Sequence, residues 1–136
     1  MILKGEKMSV ECNKIKGFTI TLPMKGEKLS DEEYDKYHDF EDENEEYDFN
    51  GFRAKPNRVY LIIDGMSGSY ARLVYAEQTG TGYDYNEDGE DEQYYSLKPK
   101  ELTDDIYNQL NTAYEKLMGK PLNKEDIDYA LWYYWW

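Results

Sequence analysis

The chain is poor in the side chains that most catalysts use: its 136 residues include one histidine, His38, and one cysteine, Cys12. A lone cysteine excludes an internal disulfide and any multi-cysteine zinc site. Such sparing use fits a reducing compartment, so a cytoplasmic location is expected. Cys12 lies between Glu11 and Asn13, where negative charge disfavours the thiolate that a nucleophile needs. His38, between Tyr37 and Asp39 in a charged stretch, reads as a surface residue rather than a general base. Walker loops, dinucleotide fingerprints, GxSxG and HExxH patterns are all missing. Acids are so abundant that no single carboxylate pair stands out as a glycosidase-type site. The chain is therefore not expected to be an enzyme, and no cofactor is expected.

Long apolar runs are also missing. The N-terminal MILKGEKMSV is broken by Lys4, Gly5, Glu6 and Lys7, so it lacks the apolar stretch of an export signal. Nothing approaches the run of about eighteen apolar residues that spans a bilayer. Residues 1–7 read as a dispensable extension ahead of a start at Met8. Positive charge is in short supply too: 16 basic residues face 29 acidic ones, for a net charge of −13. That balance excludes direct binding to DNA, RNA or anionic lipid, each of which needs basic residues to displace counterions.

The acids are concentrated in two blocks. Between Ser30 and Asn50, eleven of them (Asp31, Glu32, Glu33, Asp35, Asp39, Glu41, Asp42, Glu43, Glu45, Glu46 and Asp48) face Lys36 alone. Six more (Asp84, Glu87, Asp88, Glu90, Asp91 and Glu92) fall in DYNEDGEDE with no basic residue. The remaining 12 acids meet 15 bases, so the chain is a near-neutral scaffold carrying two acidic blocks.

That length suits one domain, residues 1–136, and 40% hydrophobic residues supply its core. Phe18–Leu22 alternates with period two and stops at Pro23, the pattern of a strand with Phe18, Ile20 and Leu22 buried. Arg58–Asp64 is apolar on both faces and predicts a central strand, Tyr70–Glu77 its antiparallel partner, and Tyr94–Leu97 a return to the sheet. Ile106, Leu110, Ala113 and Leu117 recur at helical spacing between an N-cap at Thr103 and Gly119. After Pro121, Asn123 can cap a second helix with Ile127, Leu131, Tyr134 and Trp135 on one side. Tyr129, Trp132, Tyr133 and Trp136 would then cover the other, so this tail must be buried or meet another chain, such as a second copy. Ser30-x-x-Glu33 has the capping-box pattern, and a helix is expected from it to about Phe40. Crowded like charge beyond that point predicts a solvated loop. The expected fold class is α+β: a small antiparallel meander of three to four strands, two C-terminal helices and an acidic helix-and-loop insertion.

Asp84-x-Asn86-x-Asp88-Gly89 matches the first half of a calcium loop. Tyr95 then stands where a bidentate glutamate belongs, and Asp91 where an apolar contact belongs. A weak calcium-binding adaptor is thus a secondary reading, and no metal site is assigned.

Carboxylates interleaved with Tyr34, Tyr37, Phe40, Tyr47, Phe49, Tyr83 and Tyr85 combine long-range attraction to a basic surface with rigid apolar contacts. The expected partner-binding residues are Asp39, Glu41, Asp42, Glu43, Glu45, Glu46, Tyr47 and Asp48 in the first block. In the second they are Asp84, Tyr85, Glu87, Asp88, Glu90, Asp91 and Glu92. A basic groove on a protein most often holds nucleic acid. In its acidic, small and catalytically bare composition the chain resembles the anti-CRISPR and anti-restriction inhibitors of phages and mobile elements, though no motif aligns with them. That resemblance implies a nucleic-acid mimic blocking a defence nuclease. An immunity protein that neutralises a basic toxin nuclease would carry the same features.

Overall fold

The computed structural model describes residues 12–49, 54–64, 68–81 and 94–135. In chain order the elements are β1 (Cys12–Thr21), α1 (Asp31–Glu43), a 3-10 turn at Glu45–Tyr47, β2 (Arg58–Ile63), β3 (Ala71–Thr81), β4 (Tyr94–Ser96), α2 (Asp104–Met118), a 3-10 turn at Lys124–Asp126 and β5 (Asp128–Trp135). The strands form one antiparallel sheet in the order β2-β3-β1-β5-β4. The fold is α+β, as the residue pattern predicts.

The middle strand, β1, is paired along both edges. Phe18 faces Tyr75 of β3 on one side and Tyr129 of β5 on the other. Its alternation puts Phe18 and Ile20 on the helix side, in a core with Val59, Leu61, Ile63, Leu73, Leu110 and Leu117. Ile15 falls on the opposite side with Tyr60, Ile62, Val74 and Trp132. The β1–β3 pairing skips one residue: Lys16 faces Gln78 but Gly17 faces Ala76, so Glu77 is an extra residue in β3. At this bulge a Cβ on Gly17 would overlap the Tyr75 carbonyl oxygen, which is why the strand carries glycine there.

Arg58–Asp64 was expected at the centre of the sheet; the strand it forms, Arg58–Ile63, lies at the edge. Its residues Val59 to Ile63 are all buried because both faces are covered, and burial on two faces does not require pairing on two edges. The backbone of Asp48 bridges in parallel to Leu61 and partly closes that edge.

Helix α2 forms as its spacing predicts. The Thr103 hydroxyl accepts the Ile106 N–H at 3.2 Å, and Gly119 ends the helix in the left-handed conformation (φ 76°). The expected second C-terminal helix is absent: Asn123 caps only the short turn at Lys124–Asp126, and Asp128–Trp135 is a strand. The same residues that cover a helix all round also alternate, with Ala130 and Trp132 fully buried on one face and Tyr129, Leu131 and Tyr133 half-buried on the other. Aromatic residues favour the pleated sheet, and the long exposed edge of β1 supplies the partner. The tail thus raises the expected three or four strands to five among the described residues.

Two substitutions test this packing by chemical denaturation. Trp132→Ala removes a side chain with no exposed surface and is expected to cost about 3 to 5 kcal/mol. Gly17→Ala, one methyl larger, is expected to cost about 1 to 3 kcal/mol by forcing β1 and β3 apart at the bulge.

Candidate partner-binding surface

Helix α1 begins where Ser30 and Glu33 form a reciprocal capping box: Ser30 Oγ accepts the Glu33 N–H at 3.1 Å, and Glu33 Oε1 accepts the Ser30 N–H at 2.8 Å. The Ser30 backbone N–H holds the Glu33 carboxyl below its ordinary pKa. The helix does not stop near Phe40 as expected. It runs to Glu43, Asn44 Nδ2 donates to the Phe40 carbonyl at 2.9 Å, and the chain continues into the turn at Glu45–Tyr47. Buried Tyr37 and Phe40 fix α1 to the core. Tyr37 donates its hydroxyl to the Pro23 carbonyl at 2.9 Å, and Phe40 stacks on Tyr47 with ring centroids 5.7 Å apart.

At 100° per residue, Asp31, Glu32, Asp35, Asp39, Asp42 and Glu43 fall within a sector of about 120°, and all six are exposed. Tyr37 and Phe40 point to the other side, into the core. The acids therefore form one stripe along α1. Glu45, Glu46 and Asp48 prolong the exposed negative charge beyond the helix. Lys116 of α2 approaches Glu46 at 3.8 Å, both side chains remaining about half exposed, so the pairing neutralises little.

Not every expected contact residue lies on this surface. Asp39, Asp42 and Glu43 are on the stripe, whereas Glu41 falls on the far side of the helix, one turn on from Tyr37, its side chain 18% exposed. Tyr47 is half-buried against Phe40, and Tyr37, Phe40 and Phe49 are buried, so these aromatics hold the surface in place and do not face a partner. Tyr34 is the exception, 38% exposed, with its ring 4.3 Å from that of His38. Asp31, Glu32 and Asp35 belong to the stripe and were missing from the expected contact set. The helical period from Ser30 to Phe40 already places them on one face with Asp39. The second block, Asp84, Tyr85, Glu87, Asp88, Glu90, Asp91 and Glu92, lies outside the described residues together with Tyr83 and the calcium-loop pattern. Among the described residues, no group of three or more histidine, cysteine, aspartate or glutamate side chains is placed to hold a metal ion. No described helix is long and apolar enough to cross a membrane.

His38 is half-buried, not a fully exposed surface residue, and its Nδ1 lies 3.4 Å from Glu41 Oε1 one turn on. Its Nε2 is buried without a hydrogen-bond partner among the described residues. Burial, reinforced by the carboxylates of Asp48 and Asp42, pushes the Glu41 carboxyl up to about 7. Compared with known proteins, the chain matches no family model, no curated protein and no solved structure. The surface is therefore read from its own chemistry.

The raised Glu41 fixes the sign of a pH effect. Its folded value of about 7 exceeds the ordinary 4.5, so its stabilising contribution is complete below about pH 4.5 and is lost as pH rises through 7. Glu41→Gln removes this loss. The variant is expected to gain stability over the parent progressively between those limits, by on the order of 1 to 2 kcal/mol at pH 8. Denaturant melts at pH 4.5 and pH 8 check it; a difference that is the same at both values contradicts the assignment.

Proposed function

We propose that the protein is a non-enzymatic inhibitor that lays its acidic helix in the basic nucleic-acid groove of a partner, a defence nuclease of the kind phages and mobile elements must evade. The stripe on α1 carries this reading. From Asp31 to Glu43 the helix advances about 18 Å, so its six exposed carboxylates are unevenly spaced, at intervals of about 1.5 to 6 Å, but average one per roughly 3.6 Å of axis. Phosphates along one nucleic-acid strand recur at about 3.4 Å. Lysines and arginines spaced to meet a strand therefore find charge of the same sign and similar density on α1.

Rigidity supports the same reading. The stripe stands on a helix fixed to the core, so docking orders side chains but little backbone, and that lowers the entropic cost of association. The long-range attraction serves mainly to steer encounter and raise the association rate, and it weakens with salt. Tyr34 adds a partly exposed aromatic ring near the stripe, a residue type enriched at binding hot spots.

The test uses the tagged full-length chain to capture its partner from host extract at low salt, followed by affinity measurements on the purified pair with and without nucleic acid. Nucleic acid loaded first is expected to exclude the protein. Changing Asp31, Asp35, Asp39, Asp42 and Glu43 together to their amides is expected to weaken binding tenfold or more, about 1.4 kcal/mol, mainly through slower association. A control set on the exposed acids Glu101, Asp104 and Asp105 is expected to change it little. Full affinity in the stripe variant at physiological salt, or simultaneous binding with nucleic acid, rejects the mimicry.

A further inference from the structure

The two helices pack over β2 and β3. The helix side of the sheet continues past them to Phe18 of β1 and Tyr129 of β5, whose rings lie 4.9 Å apart. Two connectors close over these rings: the segment from Leu97 to Leu102 ahead of α2, and the turn through Lys124 and Ile127 ahead of β5. Between them they leave a cavity of about 160 Å³, lined by Phe18, Leu97, Leu102, Ile127 and Tyr129 together with Lys100 and Lys124. An apolar space of about 150 Å³ accepts a benzene ring, so this one suits a single six-membered ring.

The charged groups around the cavity set the class of ligand. Lys100 Nζ is held by Glu77 Oε2 at 2.9 Å, and Glu77, the bulge residue of β3, also accepts the Tyr129 hydroxyl at 2.7 Å. Lys16 lies 5.9 Å from the Tyr129 ring centroid. Lys124 sits 4.9 Å from the centroid of the Tyr107 ring and has no carboxylate within ion-pair distance among the described residues. The one acid in the lining, Asp128, accepts the Ser96 hydroxyl at 2.7 Å. Lys100 is therefore already paired with Glu77, and Lys124 is the lining cation left to meet an anion.

We propose that this cavity is a binding site for a small organic monocarboxylate with a one-ring apolar body. The ring lies against Phe18 and Tyr129, and the carboxylate is held by Lys124. The site does not depend on the acidic stripe or on what the stripe binds, since none of its lining comes from α1.

Sodium benzoate is the probe, added to the isotopically labelled full-length protein and followed through its backbone amide resonances. Saturable shifts centred on Leu97, Leu102, Ile127 and Tyr129 are expected. Lys124→Ala, which alters an exposed side chain, is expected to weaken binding at least fivefold. Leu102→Trp, which fills the cavity, is expected to abolish it, and its amide spectrum reports whether the fold is kept. Benzyl alcohol, of similar size and uncharged, is expected to bind far more weakly than benzoate. Shifts that never saturate or are spread over the surface overturn the site. Equal affinity for benzyl alcohol, or unchanged affinity in Lys124→Ala, overturns its preference for an anion.

Discussion

Burial of Tyr37 and Phe40 is the interaction on which the acidic surface depends. Along the stripe, Asp31–Asp35, Glu32–Asp35, Asp35–Asp39, Asp39–Asp42 and Asp39–Glu43 are like-charged neighbours three or four residues apart. At about 0.2 to 0.5 kcal/mol each they cost roughly 1 to 2.5 kcal/mol. Glu41, Asp42 and Glu43 also sit at the negative end of the helix dipole, with no basic residue in the last turn. Burying two aromatic side chains returns roughly 1.5 to 3 kcal/mol apiece, which exceeds the repulsion. The capping box and the first-turn acids Asp31 and Glu32, at the favourable end of the dipole, add to that side. A peptide of this sequence would lack the burial, so α1 is a helix because of the sheet beneath it.

The sheet in turn depends on β1 finding partners along both edges. The C-terminal strand supplies one of them and brings Trp132 and Ala130 into the second core. It also brings Tyr129 against Phe18 and within reach of Glu77, the residue released by the bulge opposite Gly17. A glycine required by one close backbone approach therefore also fixes the acid that orders Tyr129 and Lys100 beside the cavity.

Local signals were readable where one short segment decides its own structure. The capping box at Ser30, the N-cap at Thr103, the left-handed Gly119 and the period-two run through Phe18 and Ile20 all appear where their residues predict. What was misread depends on contacts distant in sequence. Asp128–Trp135 is apolar at both helical and strand spacing, and only the free edge of β1 decides between them. Arg58–Ile63 shows the same limit, because apolar residues on both faces report cover above and below and say nothing of neighbours to either side. The end of α1 was placed three residues early because charge repulsion is visible in the sequence and the burial of Phe40 against Tyr47 is not. The early end left Asp42 and Glu43 off the stripe, whereas Asp31, Glu32 and Asp35 share a face with Asp39 even in a helix that stops at Phe40. The cavity has no sequence signature, since its walls come from β1, two connectors and β5.

The free protein holds its acids at short spacing against their mutual repulsion, with burial of Tyr37 and Phe40 as the restraint. A basic groove placed along the stripe as proposed would leave that repulsion in place, since the carboxylates keep their spacing, and would add its own attraction. A disordered acidic tail avoids that repulsion when unbound, since its charges are free to move apart, but it must gather them and lose backbone entropy on binding. Fixing like charges on a helix thus costs some stability in the free protein, and in the proposed complex it would take the cost of gathering those charges out of the binding step.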